Sequence, residues 1–251
     1  MPTSGYLVVD IETVPDPELY DRPELQNGVV APFPPLYVHK LVVLGALWLG
    51  DDYRMKRLGV LGEDKDEAGT LAAFSDFVGG RHPQLVTYNG RCFDLPVIAL
   101  RSLRHGVPMP WYYQGKVRNR YTEDGHLDLC DMLTDHGAAR SMSLDAVARL
   151  VGLPGKVGVD GSQVEGLWNA GQVDAVRNYC LADVAQTALV FLRFRLIQGL
   201  ITPTQYRELA GELIAAFRAD PRLDPLTAGL ADDRVLLDAP REAARADEAA
   251  A

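Results

Sequence analysis

Gly5-Tyr6-Leu7-Val8-Val9-Asp10-Ile11-Glu12-Thr13 is an apolar run that ends in two carboxylates. Hydrophobic residues at odd and even positions alike mark a strand buried on both faces, the central strand of a layered sheet. Side chains two apart on a strand share a face, so Asp10 and Glu12 project together, beyond Tyr6 and Val8. Taken alone, Asp10-x-Glu12 reads as a polar strand end facing water. The apolar Tyr6 and Val8 on the same face make that solvation less automatic.

Outward from this strand, a proline-rich loop leads to two apolar segments, Leu41 to Leu49 and Tyr53 to Val60, joined at Gly50-Asp51-Asp52. They read as a strand pair, so the sheet begins antiparallel. Helical spacing then covers 63–78, a short strand 85–88, and a second helix 95–103, in which Pro96 fits only the first turn. A strand at 126–129, a helix at 143–151, a glycine-rich loop at 152–166 and two helices at 172–197 and 202–218 complete the pattern. This order predicts an α/β domain with a mixed sheet flanked by helices. The expected organisation is a domain over 1–200, a helix at 201–218 packed on it, and a flexible acidic, Ala-rich tail over 219–251, where large apolar residues are few.

Two further acids draw attention. In Tyr88-Asn89-Gly90-Arg91-Cys92-Phe93-Asp94-Leu95-Pro96, a strand ending in an Asn-Gly turn throws Asp94 to the start of a helix, at the sheet edge where α/β folds place ligands. A plain helix cap explains Asp94 equally well. In Tyr179-Cys180-Leu181-Ala182-Asp183, Tyr179 and Asp183 share the helix face that carries Val176, Cys180, Val184, Thr187 and Phe191. An ionised Asp on an apolar face costs several kcal/mol unless positive charge meets it, and no Lys or Arg lies one turn away on that stripe. A cation from elsewhere is the economical answer, a distant Arg the alternative. Four convergent carboxylates repel one another, and their hard oxygens suit Mg²⁺ or Mn²⁺.

Asp10-x-Glu12, Asn89-x-x-x-Phe93-Asp94-x-Pro96 and Tyr179-x-x-x-Asp183 resemble, in order and spacing, the three motifs of the DnaQ-like (DEDD) 3'-5' exonuclease superfamily, in its Tyr subgroup. The second motif is similar to that of the proofreading domain of family B DNA polymerases, and the chain resembles free-standing predicted exonucleases related to it. The resemblance spans about 5–199 and includes His126-Leu127-Asp128-Leu129 and the Gly155-Lys156 loop. It implies an RNase H-like fold and hydrolysis of phosphodiester bonds with two divalent cations held by Asp10, Glu12, Asp94 and Asp183. One ion activates the attacking water and the other stabilises the leaving 3' oxygen. Asp10 would bridge both ions, Glu12 and Asp183 would hold the first, and Asp94 would act through the second. Tyr179 replaces the His of the sister subgroup and would orient the water, a phenol being a poor base at neutral pH.

Composition sets the limits. The 251 residues carry a formal net charge of −9, which argues against binding nucleic acid by bulk charge. Yet no acid falls between Leu95 and Thr122, where Arg101, Arg104, Lys116, Arg118 and Arg120 lie. Trp111, Tyr112, Tyr113 and Tyr121 interleave with them, which suits a stacked single strand or an ordinary solvated hairpin. Asn89, Phe93, Lys116, Arg118 and Arg120 are the candidate substrate contacts, single-stranded DNA the favoured partner and RNA the second. Lys156 could reach a phosphate, although a solvated loop lysine is commoner. The three cysteines have no metal or disulfide spacing. Gly152 to Val157 fails as a phosphate loop, with Leu at 150 and Val at 157. His126, Asp128 and Asp131 read as structural rather than as a second metal site. The longest apolar run is far short of a membrane span and no signal peptide opens the chain, so a cytoplasmic protein without a polymerase domain is expected. The rival readings are an idle nucleic-acid-binding module and an accessory subunit of a replication or repair complex. Retention of all four acids favours catalysis.

Overall fold

The computed structural model describes residues 4–21, 32–156, 158 and 161–238. In chain order the elements are β1 (Tyr6–Pro15), β2 (His39–Leu49), β3 (Met55–Val60), α1 (Glu67–Arg81), β4 (Gln84–Thr87), α2 (Asp94–His105), α3 (Pro110–Tyr113), β5 (His126–Asp128), α4 (Leu129–Leu133), α5 (Leu144–Leu150), α6 (Val164–Asn169), α7 (Val173–Ile197), α8 (Pro203–Arg218), α9 (Asp224–Ala228) and α10 (Asp232–Val235). The sheet order is β3-β2-β1-β4-β5. β1 pairs antiparallel with β2 and parallel with β4, so the sheet is mixed and starts antiparallel, as the strand pattern predicts.

β1 is central, and its alternation sorts two cores. Leu7, Val9 and Ile11 pack with Phe74 of α1 and Val97 and Ile98 of α2. Val8 packs on the other face with Leu181, Val184 and Ala185 of α7. By the two-residue period, Asp10 and Glu12 therefore lie under α7. The register slips between Glu12 and Thr13, a bulge that ends regular pairing just beyond the second carboxylate.

α7 is the spine of that face, with Val176, Cys180, Val184, Ala188 and Phe191 all buried. α8 opens with Thr202 and Gln205 bonding each other's backbone N–H, and with Pro203 in its first turn, the arrangement that satisfies free amides at a helix start. Helix α6 occupies the end of what the sequence suggests is one glycine-rich loop, and its Val164 is buried.

The expectation of an unpacked segment from Ala219 is corrected as far as Asp238. Leu223, Leu226 and Val235 are almost fully buried against the second core. The buried Tyr206 hydroxyl donates to the Val235 carbonyl at 2.6 Å, and Arg193 donates to the same oxygen at 2.8 Å. Three well-spaced apolar side chains suffice because α7 and α8 already supply the groove, whereas the composition test asks whether the segment could build a core alone. Pro23 of the first loop, Val157 and residues 239–251 of the expected tail lie outside the described residues.

Candidate active site

The site grows from three elements. β1 presents Asp10, half-buried, and Glu12, buried. Opposite Asp10 on β2 stands Gly45, and its missing side chain lets α7 settle close: a Cβ there would lie 2.8 Å from Cys180 Sγ and 3.1 Å from Val184 Cγ2. The Cys180 thiol in turn lies 3.5 Å from both the carbonyl and Oδ2 of Asp10. One turn on, α7 brings Asp183, which shares a hydrogen bond with the Tyr179 phenol.

Asp94 arrives on a braced turn. Asn89 adopts a left-handed backbone, φ 64°, and its carbonyl accepts the N–H of Cys92 at 3.1 Å and of Phe93 at 3.2 Å. From the end of β5, Asp128 accepts the backbone N–H of Asn89 at 2.9 Å and of Arg91 at 2.7 Å. The turn delivers Asp94 as the first residue of α2, buried, where its carboxylate accepts the N–H of Ile11, the residue between Asp10 and Glu12.

The electrostatics follow from this crowding. Burial, then the charges of Asp94, Glu12 and Asp183, holds Asp10 well above the ordinary carboxyl range. Burial, then Asp183 and Asp94, does the same for Glu12. Burial lifts Asp94 to about 7, helped by Asp128 and opposed by backbone N–H groups. Asp183 rises to about 6 through burial, with Tyr179, the Lys156 ammonium and Gln186 pulling it back. The Tyr179 phenol is pushed far up by burial and by Asp183, Glu12 and Asp10. Among the described residues none of the four acids is in an ion pair with Lys, Arg or His. Burial and the neighbouring acids likewise hold the Cys180 thiol protonated. Asp10, Glu12 and Cys180 offer atoms within 4.8 Å of one another, and without a cation the thiol donates to Asp10. Hard carboxylate oxygens with no internal cation fit Mg²⁺ or Mn²⁺.

The remaining candidates separate. Asn89 is exposed on its turn. Phe93 is half-buried, edge-on to His39 at 5.0 Å. Lys116 is paired with Asp124 at 2.6 Å and Arg120 with Asp131 at 2.5 Å, while Arg118 lies against the rings of Tyr112 and Tyr113. Trp111 belongs to the core, its indole N–H donating to Ser75 Oγ at 3.0 Å. His126 is buried and bonded to Thr87 at 2.8 Å, and burial holds it down at about 3. Lys156, weighed as a solvated lysine, contributes to the field at Asp183. Gln186, which the motifs do not flag, bonds the Gly155 N–H at 2.9 Å and reaches Asp183 at 3.4 Å. A buried Gln three residues beyond Asp183 on one helix face is the signal that could have found it.

A family model described as a predicted 3'-5' exonuclease related to the exonuclease domain of PolB matches residues 31–224, well over half of the chain. The chain belongs to this family. The match starts after β1, so Asp10 and Glu12 fall outside it. Among solved structures, the family B DNA polymerase of the archaeon Pyrobaculum calidifontis matches at 21% identity with a TM-score of 0.53, over 94% of this chain and 27% of the polymerase. E. coli Exonuclease I in complex with a dT13 oligonucleotide matches at 14% identity with a TM-score of 0.44, over 85% of this chain and 46% of that one. The chain thus spans about a quarter of the polymerase and under half of Exonuclease I. No curated protein matches it. The mixed sheet and its likeness to the polymerase establish the RNase H-like fold of DnaQ-like exonucleases. Among the described residues no helix is long and apolar enough to cross a membrane.

Proposed function

We propose that this family member is an active, divalent-cation-dependent 3'-5' exonuclease that removes nucleotides from single-stranded or frayed DNA. One observation carries the reading: four acids from β1, α2 and α7 share one electrostatic site with no ion-paired cation among the described residues. A structural role alone would leave that crowding to be relieved only by protonation. Asp10, Glu12, Asp94 and Asp183 would hold two ions, which when bound supply water activation and stabilise the leaving 3' oxygen.

The chain's own groups do the rest. Tyr179, held neutral, orients the attacking water by hydrogen bonding and is unsuited to act as base. Lys156 tempers the negative charge at Asp183. Asp128 fixes the turn that aims Asp94. In the net reaction the water oxygen bonds to phosphorus, the bond from phosphorus to the 3' oxygen breaks, and that oxygen takes up a proton. The released product is a nucleoside 5'-monophosphate.

The test uses 5'-labelled single-stranded DNA and RNA of one sequence, with Mg²⁺ or Mn²⁺, with and without chelator, beside Asp183→Ala. A ladder shortening from the 3' end, lost with chelator and with the substitution, upholds the proposal, and DNA should be the faster substrate. A folded, cation-supplied protein that cleaves neither strand refutes it.

A further inference from the structure

Away from the carboxylates, the outer face of α2 and the segment after it enclose a cavity of about 480 Å³. Leu100, Leu103 and Met109 line it, and Tyr112, Tyr113 and Arg118 complete its wall. Leu103 is 79% exposed and Tyr113 59% exposed, so large apolar surface is left facing water on one small patch. Ser102 also lines the cavity. It is 2% exposed, and its hydroxyl has no hydrogen-bond partner, although buried hydroxyls are normally satisfied.

Arg118 is the decisive member. Of the five cations between Leu95 and Thr122, four are neutralised: Arg101 by Asp16 and Glu67, Arg104 by Glu18, Lys116 by Asp124 and Arg120 by Asp131. Arg118 has no carboxylate partner among the described residues. Its guanidinium carbon lies 5.8 Å from the Tyr112 ring centre and 5.3 Å from that of Tyr113. Its backbone is tied to the motif turn, because Arg91 donates to the carbonyls of Val117 and Arg118 at 3.5 and 3.4 Å. Pro96, two residues beyond Asp94 on the same helix, lines the near end of the cavity. Leu103 stands nine residues beyond Asp94, about 14 Å along the axis and half a turn round it, so a strand would reach it by wrapping the outer side of α2.

The geometry points to a subsite for a nucleotide of single-stranded DNA lying 5' of the scissile bond. Its base would rest on Leu100, Leu103 and the Tyr113 ring, and Arg118 would hold its phosphate. An aromatic platform beside an unpaired cation is the recognition chemistry of unpaired strands. In a protein of net charge −9, an uncompensated guanidinium on an apolar patch complements a polyanion. The direction of the strand rests on the exonuclease reading. The consequence is a preference for length, since a dinucleotide held at the carboxylates cannot reach Leu103.

Steady-state cleavage of an oligothymidylate a dozen nucleotides long and of a thymidine dinucleotide tests this in Arg118→Ala and Tyr113→Ala. Arg57→Ala, at an exposed position of edge strand β3, is the charge-matched control. The expected result is a KM raised about tenfold on the long strand, with kcat and dinucleotide kinetics unchanged and no effect in the control. Equal losses on both substrates, or Arg118→Ala behaving as Arg57→Ala, overturn the subsite. If the unmodified protein cleaves neither DNA, the exonuclease reading fails by itself, and fluorescence anisotropy of the labelled dozen-nucleotide strand in chelator decides the subsite. Affinity lost in Arg118→Ala and Tyr113→Ala but kept in Arg57→Ala upholds it. Equal affinity in all, or no binding by the unmodified protein, overturns it.

Discussion

Asp128 accepts the backbone N–H of Asn89 at 2.9 Å, fastening the end of β5 to the turn that launches α2. The same carboxylate takes the N–H of Arg91 at 2.7 Å and caps α4 through the N–H of Cys130 at 3.0 Å. Asp128→Ala therefore strips several amides of a charged acceptor at once, and destabilisation by about 3 kcal/mol is expected in urea unfolding. Because Asp94 rides on that turn, the rate of DNA cleavage should also fall about 10- to 100-fold at temperatures where the variant is folded. Full activity in a folded Asp128→Ala would mean that Asp94 holds its place without the clamp.

The cluster makes cation binding depend on pH with a definite sign. Asp94 and Asp183 sit near 7 and 6 in the folded chain, against an ordinary 3.8. A folded value above the unfolded one favours folding in acid, and that contribution is lost as pH rises through the folded value. The metal-free protein should thus lose stability from this site between about pH 4 and about pH 7. Added Mn²⁺ or Mg²⁺ compensates the charges, so the rise in Tm on adding either ion should be larger near pH 8 than near pH 5. Differential scanning fluorimetry in chelator and in cation checks this, and a pH-independent rise would argue that the ions bind elsewhere.

The motifs were legible in the sequence because each is local. Two acids two apart on a strand, an acid after an Asn-Gly turn, and an acid four residues after Tyr on an apolar helix face each specify a direction without tertiary information. The mixed sheet with its antiparallel start followed from the same periodicities. The basic stretch misled in a physical way: Asp16, Glu67, Asp124 and Asp131 lie outside 95–122 but neutralise Arg101, Lys116 and Arg120 in space. Charge along a chain is not charge on a face. Lys156 was ambiguous because only the fold decides whether a loop lysine faces Asp183. The packing of 221–235 was hidden because its apolar partners, Tyr206 and its neighbours on α7 and α8, lie in another segment.

Gly45 makes room for chemistry rather than for a turn. A Cβ at this position would press on Cys180 Sγ at 2.8 Å and Val184 Cγ2 at 3.1 Å, so Gly45→Ala should cost about 1–3 kcal/mol of stability by overpacking. Displacing the thiol also disturbs Asp10, and cleavage should slow. The double variant Gly45→Ala with Cys180→Ala removes the closer clash and should recover part of the stability, giving a favourable coupling in a double-mutant cycle. Strict additivity would show that the two side chains do not meet.

Tyr179 offers a test of orientation against proton transfer. Its phenol is neutral throughout the accessible pH range, since burial and three acids push it up. Tyr179→Phe keeps the ring and its packing but loses the hydroxyl. A kcat reduced about 10- to 100-fold, with KM and the shape of the pH profile unchanged, is expected of a positioning group. Disappearance of an alkaline or acidic limb in the variant's profile would assign the phenol a titrating role instead.

Arg101 anchors α2 behind the site, and its removal has a pH signature. The buried guanidinium lies 2.8 Å from Asp16 and 2.6 Å from Glu67. Burial pushes both carboxyls up, but Arg101 and the other hydrogen bonds outweigh it and hold them below their ordinary values. Their stabilisation is therefore present above about pH 4 and fades as pH falls through the lowered folded values. Arg101→Met strips both buried carboxylates of their main cation, leaving Asp16 with Arg104 at 3.8 Å and Glu67 with His105 at 2.7 Å, a loss of about 3 kcal/mol at neutral pH. In the variant, burial raises both acids, so protonation relieves the strain rather than adding to it. The stability gap between the two proteins, read from urea midpoints, should narrow as pH drops from about 7 to about 4. A gap of constant width would mean that Arg101 acts through the packing of its stem and not through its charge.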